Sequence, residues 1–218
     1  MGARNNPKAY QDRLLRTRNA LERNEFAVFL ASNKKEALQK ALELIPPDAK
    51  VGVGGSTTIR EIRLIEALTE RGNQVVHHWL PDISQEDRLR LITEENTSDV
   101  YLCSSNAITE DGQLVNVDGA GNRVAAMIFG PKKVIVIAGK NKIVKNVSAA
   151  LKRLKHIAGP LNAKRLNLAE LPCVKTGECM NCNTPKRICR VVTFIEKAPS
   201  SIRKPNITVL LVGENLGF

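Results

Sequence analysis

Cys173, Cys179, Cys182 and Cys189 fall within seventeen residues, in the stretch PCVKTGECMNCNTPKRIC, with the spacing C-x5-C-x2-C-x6-C. The fifth cysteine, Cys103, stands alone. So dense a cluster, in a chain that otherwise reads as a cytosolic α/β domain, points to metal binding or thiol redox chemistry rather than a disulfide scaffold. Four thiolates can hold a tetrahedral Zn²⁺ or an iron–sulfur cluster. Cys179-Met180-Asn181-Cys182 is a C-x2-C knuckle, preceded by Thr176-Gly177, which helps the backbone turn. No second C-x2-C follows, so Cys173 and Cys189 must close such a site from outside. A reversible dithiol pair is the rival reading, and four plain thiols is the third.

A second stretch able to do chemistry is GVGGSTTIRE, residues 52–61. A glycine-rich turn from strand to helix presents backbone N–H groups that suit a phosphate or carboxylate. It lacks the Gly-Lys-Ser/Thr of a Walker loop and the third glycine of a dinucleotide fingerprint. A tight turn with an N-cap explains it equally well.

The third stretch, SSNAITEDGQLVNVDGAGNRVAA, spans residues 104–126. It follows an apolar strand, which places it at a carboxyl edge, where open α/β sheets bind ligands. Asn106, Glu110, Asp111, Asn116, Asp118, Asn122 and Arg123 are concentrated here, with glycines at 112, 119 and 121. Asp111-Gly112 is a hairpin signal, and a hairpin is compatible with a site. Glu110 or Asp118 is the candidate general base.

These stretches need a scaffold. The 218 residues are 43% hydrophobic and 25% charged, which suits one α/β domain with a real core. A basic, amphipathic helix is expected over 7–24, and Ser32 or Asn33 caps the next, which Pro46-Pro47 stops. A strand at 51–53 leads into a helix from Ser56 or Thr57 to about Arg71. Strands follow at 74–79, 99–104 and 114–119, with a helix at 84–95 between the first two. A short helix at 122–129 precedes the strongest strand, 132–139. A helix over 143–157 and strands at 190–195 and 206–213 complete the pattern. Alternating strands and helices predict a mostly parallel, doubly wound sheet. Residues 159–190 break the alternation and read as an irregular, cysteine-rich excursion. His77 and His78 end a strand, where one of them can reach a cleft, although a structural role is the more ordinary use.

The formal net charge of +11 favours anionic ligands. Aromatics are only 4% and the basic residues are scattered, which argues against nucleic acid. The N-terminus has no apolar signal-peptide core and no run approaches a membrane span, so a cytoplasmic protein is expected.

GVGGSTTIRE, the long segment SSNAITEDGQLVNVDGAGNRVAAMIFGPKKVIVIAGKNKIV, the cysteine stretch and the closing ITVLLVGENLGF together resemble the LUD-domain (lactate utilisation) family, the LutC/YkgG-like proteins. The resemblance runs over residues 7–218, as a single domain with residues 1–30 as an N-terminal helical extension. It implies a fold like that of the ribose-5-phosphate isomerase, glucosamine-phosphate deaminase and CoA-transferase superfamily. By it, Gly54, Gly55, Ser56 and Thr57 would bind an anion, and Asn106, Glu110, Asp118, Gly119, Asn122 and Arg123 would line the same cleft. Related methylthioribose-phosphate isomerases have an aspartate in a Gly-Ala-Asp segment where this chain has Ser104-Ser105-Asn106. An amide cannot ionise, so Glu110 would have to take its place. The resemblance further implies an accessory subunit in the oxidation of L-lactate to pyruvate, with an iron–sulfur cluster or zinc at the cysteines. Its partners would be other lactate-utilisation subunits and a small anionic metabolite, and a homo-oligomer is compatible with it. A self-sufficient enzyme or a sensor, binding a phosphorylated, carboxylated or CoA-linked metabolite in the 104–123 cleft, is the alternative.

Overall fold

The computed structural model describes residues 7–199 and 206–218; the first six residues of the expected N-terminal extension lie outside them. Six parallel strands form the central sheet: β1 (Ala27–Ala31), β2 (Val51–Val53), β3 (Val75–Val76), β4 (Val100–Cys103), β7 (Lys133–Gly139) and β10 (Asn206–Val212). Their order is β1-β10-β7-β4-β2-β3. The strands are short, continuous apolar runs because helices cover both faces. One face packs Val51, Val53, Leu102, Ile135, Ile137 and Leu210 against α2 (Lys34–Leu44), α3 (Thr57–Glu61) and α4 (Leu64–Glu70). The other packs Tyr101, Cys103, Val134, Val136 and Val209 against α1 (Pro7–Arg23) and α6 (Asn122–Ile128). Residues alternate between these cores along each strand, as the pleat requires.

A second, four-stranded sheet branches from the first. It joins β5 (Ala107–Thr109), β6 (Leu114–Asp118), β8 (Ile143–Val144) and β9 (Val191–Ile195) in the order β8-β5-β6-β9. β5 and β6 are the hairpin announced by Asp111-Gly112, and β9 returns antiparallel along β6. α5 (Gln85–Asn96) links β3 to β4. α7 (Val147–Arg153), a π-helical turn over Leu154–Ala158 and α8 (Gly159–Arg165) run on one from another, and α9 (Pro172–Thr176) opens the cysteine-rich segment.

Several elements differ from expectation for local reasons. The helix expected from residue 57 to about Arg71 is broken in two by Arg63, which adopts φ 59° in the left-handed region. Asn33, not Ser32, caps α2; its side chain accepts from the Glu36 N–H at 3.0 Å, while Glu36 accepts from Ser32 N at 2.7 Å. The strand at 27–31 was not expected, and Ile143–Val144 pairs with β5 instead of starting a helix; the helix begins at Val147, capped by Asn146.

The hairpin is held to α1. Arg13 on α1 donates to Glu110 at 2.7 Å and to the Ile143 carbonyl at 2.6 Å, and Asn24 donates to the carbonyls of Asp111 and Gly112. Gly112 has φ +81°, and an added Cβ would lie 2.5 Å from the backbone of Ala20. Gly72 has φ +93° with nothing within 4 Å of such a Cβ. Gly112→Ala therefore combines a strained conformation with a collision, and should lose about 3 kcal/mol. Gly72→Ala meets only the strain and should lose about 1 kcal/mol. Urea unfolding of the two variants checks this; equal losses would mean that hairpin and helix are not tightly apposed.

Candidate functional site

Going along the chain from β2, the next parallel strand lies to one side of β2 and the one after it to the other. The ends of β2 and β4 are thus a topological switch point, where open α/β sheets form their crevice. A cleft of about 260 Å³ lies there. The turn after β2 supplies Gly55, Ser56, Thr57 and Thr58, and the loop after β4 supplies Ser104, Ser105 and Asn106. Asp118, Gly119, Asn122 and Arg123 enter from the end of β6 and the start of α6. His78 follows β3, Lys142 follows β7, and Arg165 reaches in from the end of α8.

Arg123 organises this site. Its guanidinium donates to the Ser104 carbonyl (2.6 Å), Asn116 Oδ1 (2.9 Å), Asn106 Oδ1 (2.7 Å), the Val117 carbonyl (3.1 Å) and Asp118 Oδ1 (2.5 Å). The other oxygen of Asp118 accepts from Val124 N at 3.0 Å, and Asn106 Oδ1 also accepts from Val117 N at 3.0 Å. The side chains of Arg123 and Asp118 are 12% and 8% exposed. The two charges neutralise each other, and the carboxylate is held in a salt bridge rather than left free as a base.

The positive surplus comes from elsewhere. Lys142 is 3% exposed, and its Nζ donates to Thr58 Oγ1 (2.9 Å) and Ser104 Oγ (2.8 Å). A lysine has three such protons, and the third has no partner among the described residues. Burial, helped by the nearby Arg153 and Arg123 cations, pushes its pKa down to about 7. Arg153, itself buried, donates to the carbonyls of Asn141 and Asn106, and burial brings it down to about 10. Arg165 is exposed, and Asn162 accepts two hydrogen bonds from it. Among the described residues, no side-chain carboxylate other than the neutralised Asp118 lines the cleft. The cleft suits a small anion.

The structure brings Gly55, Ser56, Thr57, Asn106, Asp118, Gly119, Asn122 and Arg123 together, and leaves two expected residues out. Gly54 is buried; an added Cβ there would strike the Tyr101 hydroxyl, so its role is to let that ring under the turn. Glu110 is ion-paired with Arg13 (2.7 Å) and Arg16 (3.5 Å) of α1, away from the residues that line the cleft. Because α3 stops after five residues, attraction for an anion rests on Lys142 and Arg165 more than on a helix dipole. Lys142, Thr58 and Arg165 are site residues the sequence reading does not name, and His78 is the one of the His77–His78 pair that reaches the cleft. The signal was available for Lys142, which follows the strongest strand as His78 follows β3, both at the carboxyl edge of the sheet.

The four clustered cysteines line a separate, mostly apolar cavity of about 80 Å³. They enter it from α9 (Cys173), from the loop after it (Cys179 and Cys182) and from just before β9 (Cys189), with Leu154, Pro160 and Leu171 behind them. All four are free, and none is fully exposed. Burial raises the thiols of Cys173 and Cys189, and the neighbouring thiolates raise them further. Among the described residues, no three His, Cys, Asp or Glu side chains are grouped so as to hold one metal ion. Val117 and Ile188 line both this cavity and the cleft, and the Ile188 carbonyl would lie 3.3 Å from a Cβ on Gly119. Cys103 is buried in β4, with its thiol pushed up to about 12, and serves the core.

An open parallel sheet with an anion-suited cleft at its switch point and a cysteine-lined cavity behind it defines the class. The chain belongs to the LUD-domain family, whose model matches residues 14–212. It is similar in structure to a DUF162 family protein from Deinococcus radiodurans: TM-score 0.54, 13% identity, covering 93% of this chain and 97% of that one. Ribose-5-phosphate isomerase A from Glaesserella parasuis serovar 5 (strain SH0165) is 30% identical over 119 residues, 51% of this chain and 53% of that protein. The chain thus spans about half the length of that relative. Among the described residues no helix is long and apolar enough to cross a membrane.

Lys142 gives the site a pH signature. The unfolded lysine keeps its proton up to about 10.5, whereas the folded one loses it above about 7. Between these values the unfolded chain holds the extra proton, so this group's contribution to stability rises with pH. Lys142→Met should flatten that rise, as read from urea unfolding at a series of pH values. Arg123→Lys, which keeps charge but loses the planar fork, should cost about 3 kcal/mol in the same assay.

Proposed function

We propose that this chain is a LutC-like accessory subunit in the oxidation of L-lactate to pyruvate, with Cys173, Cys179, Cys182 and Cys189 holding a metal or redox centre. One observation carries the reading: the four thiols, drawn from three separate segments, open onto a single cavity that shares a wall with the anion-suited cleft. Four convergent thiols with apolar walls are the donor set of an iron–sulfur centre. Such a centre, when bound, supplies electron transfer. The chain's own residues then have two tasks. The cysteines would hold the centre against Leu154, Pro160 and Leu171. Lys142, Thr57 and Arg165 hold a small carboxylate on the other side of Val117 and Ile188. Other lactate-utilisation subunits would supply the catalytic step and exchange electrons with this one.

Elemental analysis and an ultraviolet–visible spectrum of protein purified without oxygen test the reading. Iron and acid-labile sulfide with broad visible absorption are expected, and Cys179→Ser should lose both while its far-ultraviolet circular dichroism stays close to wild type. Zinc in place of iron would make the cluster a structural or regulatory knuckle. Absence of both metals, with four free thiols or a stable disulfide, would overturn the metal-centre reading. Unfolding of Cys179→Ser would show that the cysteines serve stability.

A further inference from the structure

A carboxylate–histidine pair borders the cleft, and neither the anion-binding groups nor the cysteine cavity accounts for it. His78 Nδ1 lies 2.6 Å from Glu95 Oε1. The Glu95 side chain is 0% exposed, and its second oxygen, Oε2, is buried without a hydrogen-bond partner. Burying a carboxylate with half its acceptors idle is costly, and a core position on α5 would be more stable with an apolar residue. The helix is nonetheless brought close: a Cβ on Gly52 would lie 2.5 Å from the Glu95 carbonyl, so glycine at 52 makes room for it.

The other end of the imidazole faces a different environment. His78 lines the cleft, and its Nε2 has no hydrogen-bond partner among the described residues, yet is not among the buried unpartnered atoms. With Nδ1 committed to a carboxylate, a neutral ring carries its proton on Nδ1 and presents the Nε2 lone pair outward. The ring is fixed by its surroundings. Trp79 stands edge-on to it at 6.1 Å, Arg60 of α3 stacks on Trp79 at 4.2 Å, and Arg88 of α5 donates to the His78 carbonyl at 3.2 Å. The charged and titratable groups around it are Glu95 and Arg88 on α5, Arg60 on α3, His77 beside it, and Lys142 and Arg165, which line the same cleft. Glu95 is the one carboxylate bonded to the ring. Burial raises the Glu95 carboxyl, and its contact with His78 offsets part of that rise.

We propose that His78, oriented through Nδ1 by Glu95, is the proton donor and acceptor of the cleft, acting through Nε2 on the hydroxyl or carbonyl oxygen of a small hydroxy- or oxo-acid. This rests on the cleft holding such an acid, and not on the cysteine centre. In the forward sense the O–H bond of the bound hydroxyl breaks, its proton forms a bond to Nε2, and the electron pair stays on the oxygen as an alkoxide in a cleft lined by Lys142 and Arg165. The buried Glu95 carboxylate then balances the imidazolium, and return of the proton restores the start. Glu95 is a positioning residue; His78 is the group that would touch the ligand.

The chain has three histidines, so nitrogen-15 ring spectra of the intact protein can resolve each of them. In its neutral form, His78 is expected to show a proton on Nδ1 and a bare Nε2. Millimolar L-lactate, whose hydroxyl can donate to that lone pair, should then move the Nε2 signal and leave His156 unmoved, whereas pyruvate, which has only acceptors, engages the ring in its Nε2–H form. His78→Gln should weaken probe binding about tenfold, since it removes the ring's hydrogen bond to the probe, and Glu95→Gln should weaken it less, since it removes only the charge behind that ring. Glu95→Gln keeps an acceptor for Nδ1, so its Nδ1–H tautomer should survive while the charge effect is lost. A bare Nδ1 in the wild type would overturn the proposal. So would an Nε2 signal indifferent to a probe whose binding Lys142→Met abolishes. If neither probe binds, the cleft reading and this role fail together, whereas metal content decides the cysteine centre separately.

Discussion

The guanidinium of Arg123 is the constraint on which the site depends. From the start of α6 it ties together two pieces of chain, the loop leaving β4 and the end of β6. Each accepts from it through a carbonyl, an amide or a carboxylate, so the planar fork is saturated. A buried ion pair like Arg123–Asp118 adds little net stability compared with an apolar substitute, but it admits few alternative geometries. That trade suits a cleft whose walls are loops. The cations left uncommitted, Lys142 and Arg165, then face a cavity whose shape is already set.

Two sites with different chemistry sit on either side of one thin wall. The cleft is polar and carries a surplus of positive charge; the cysteine cavity is apolar and bounded by sulfur. Val117 and Ile188 belong to both. Val117 is part of β6, and Ile188 belongs to the cysteine-rich segment that becomes β9, which pairs with β6 from Asp118 to Leu114. A change in how the cysteines are liganded therefore has a short mechanical route to the cleft, through a strand pair rather than through solvent.

The strands and helices were legible where local pattern decides. Apolar runs such as 132–139 and 206–213, the capped helix after Asn33 and the Asp111-Gly112 hairpin all follow from spacing and turn chemistry. The left-handed Arg63, which splits the helix expected up to Arg71, carries no glycine or proline to announce it. Ala27–Ala31 and Ile143–Val144 are strands because partners exist for them, in β10 and β5, and short runs cannot declare that. The site was legible as a neighbourhood and not as roles. Glu110 and Asp118 look alike in sequence, yet one is paired with the first helix and the other with Arg123. Lys142 looks like any surface lysine of a basic chain, and only the sheet's topology shows it buried beneath the cleft.

The placement of β10 bears on how the molecule is made. This strand, the last in the chain, lies in the interior of the sheet, between β1 and β7. Until residue 212 has been synthesised, β1 has no neighbour, and β7 presents an unpaired apolar edge. Between the making of residue 139 and residue 212, a ribosome-bound chain would therefore carry a half-sheet with open hydrogen-bonding groups, the kind of surface that chaperones cover and that aggregates recruit. The sheet is completed only when residues 206–212 fill the gap between β1 and β7, rather than by growth from one end.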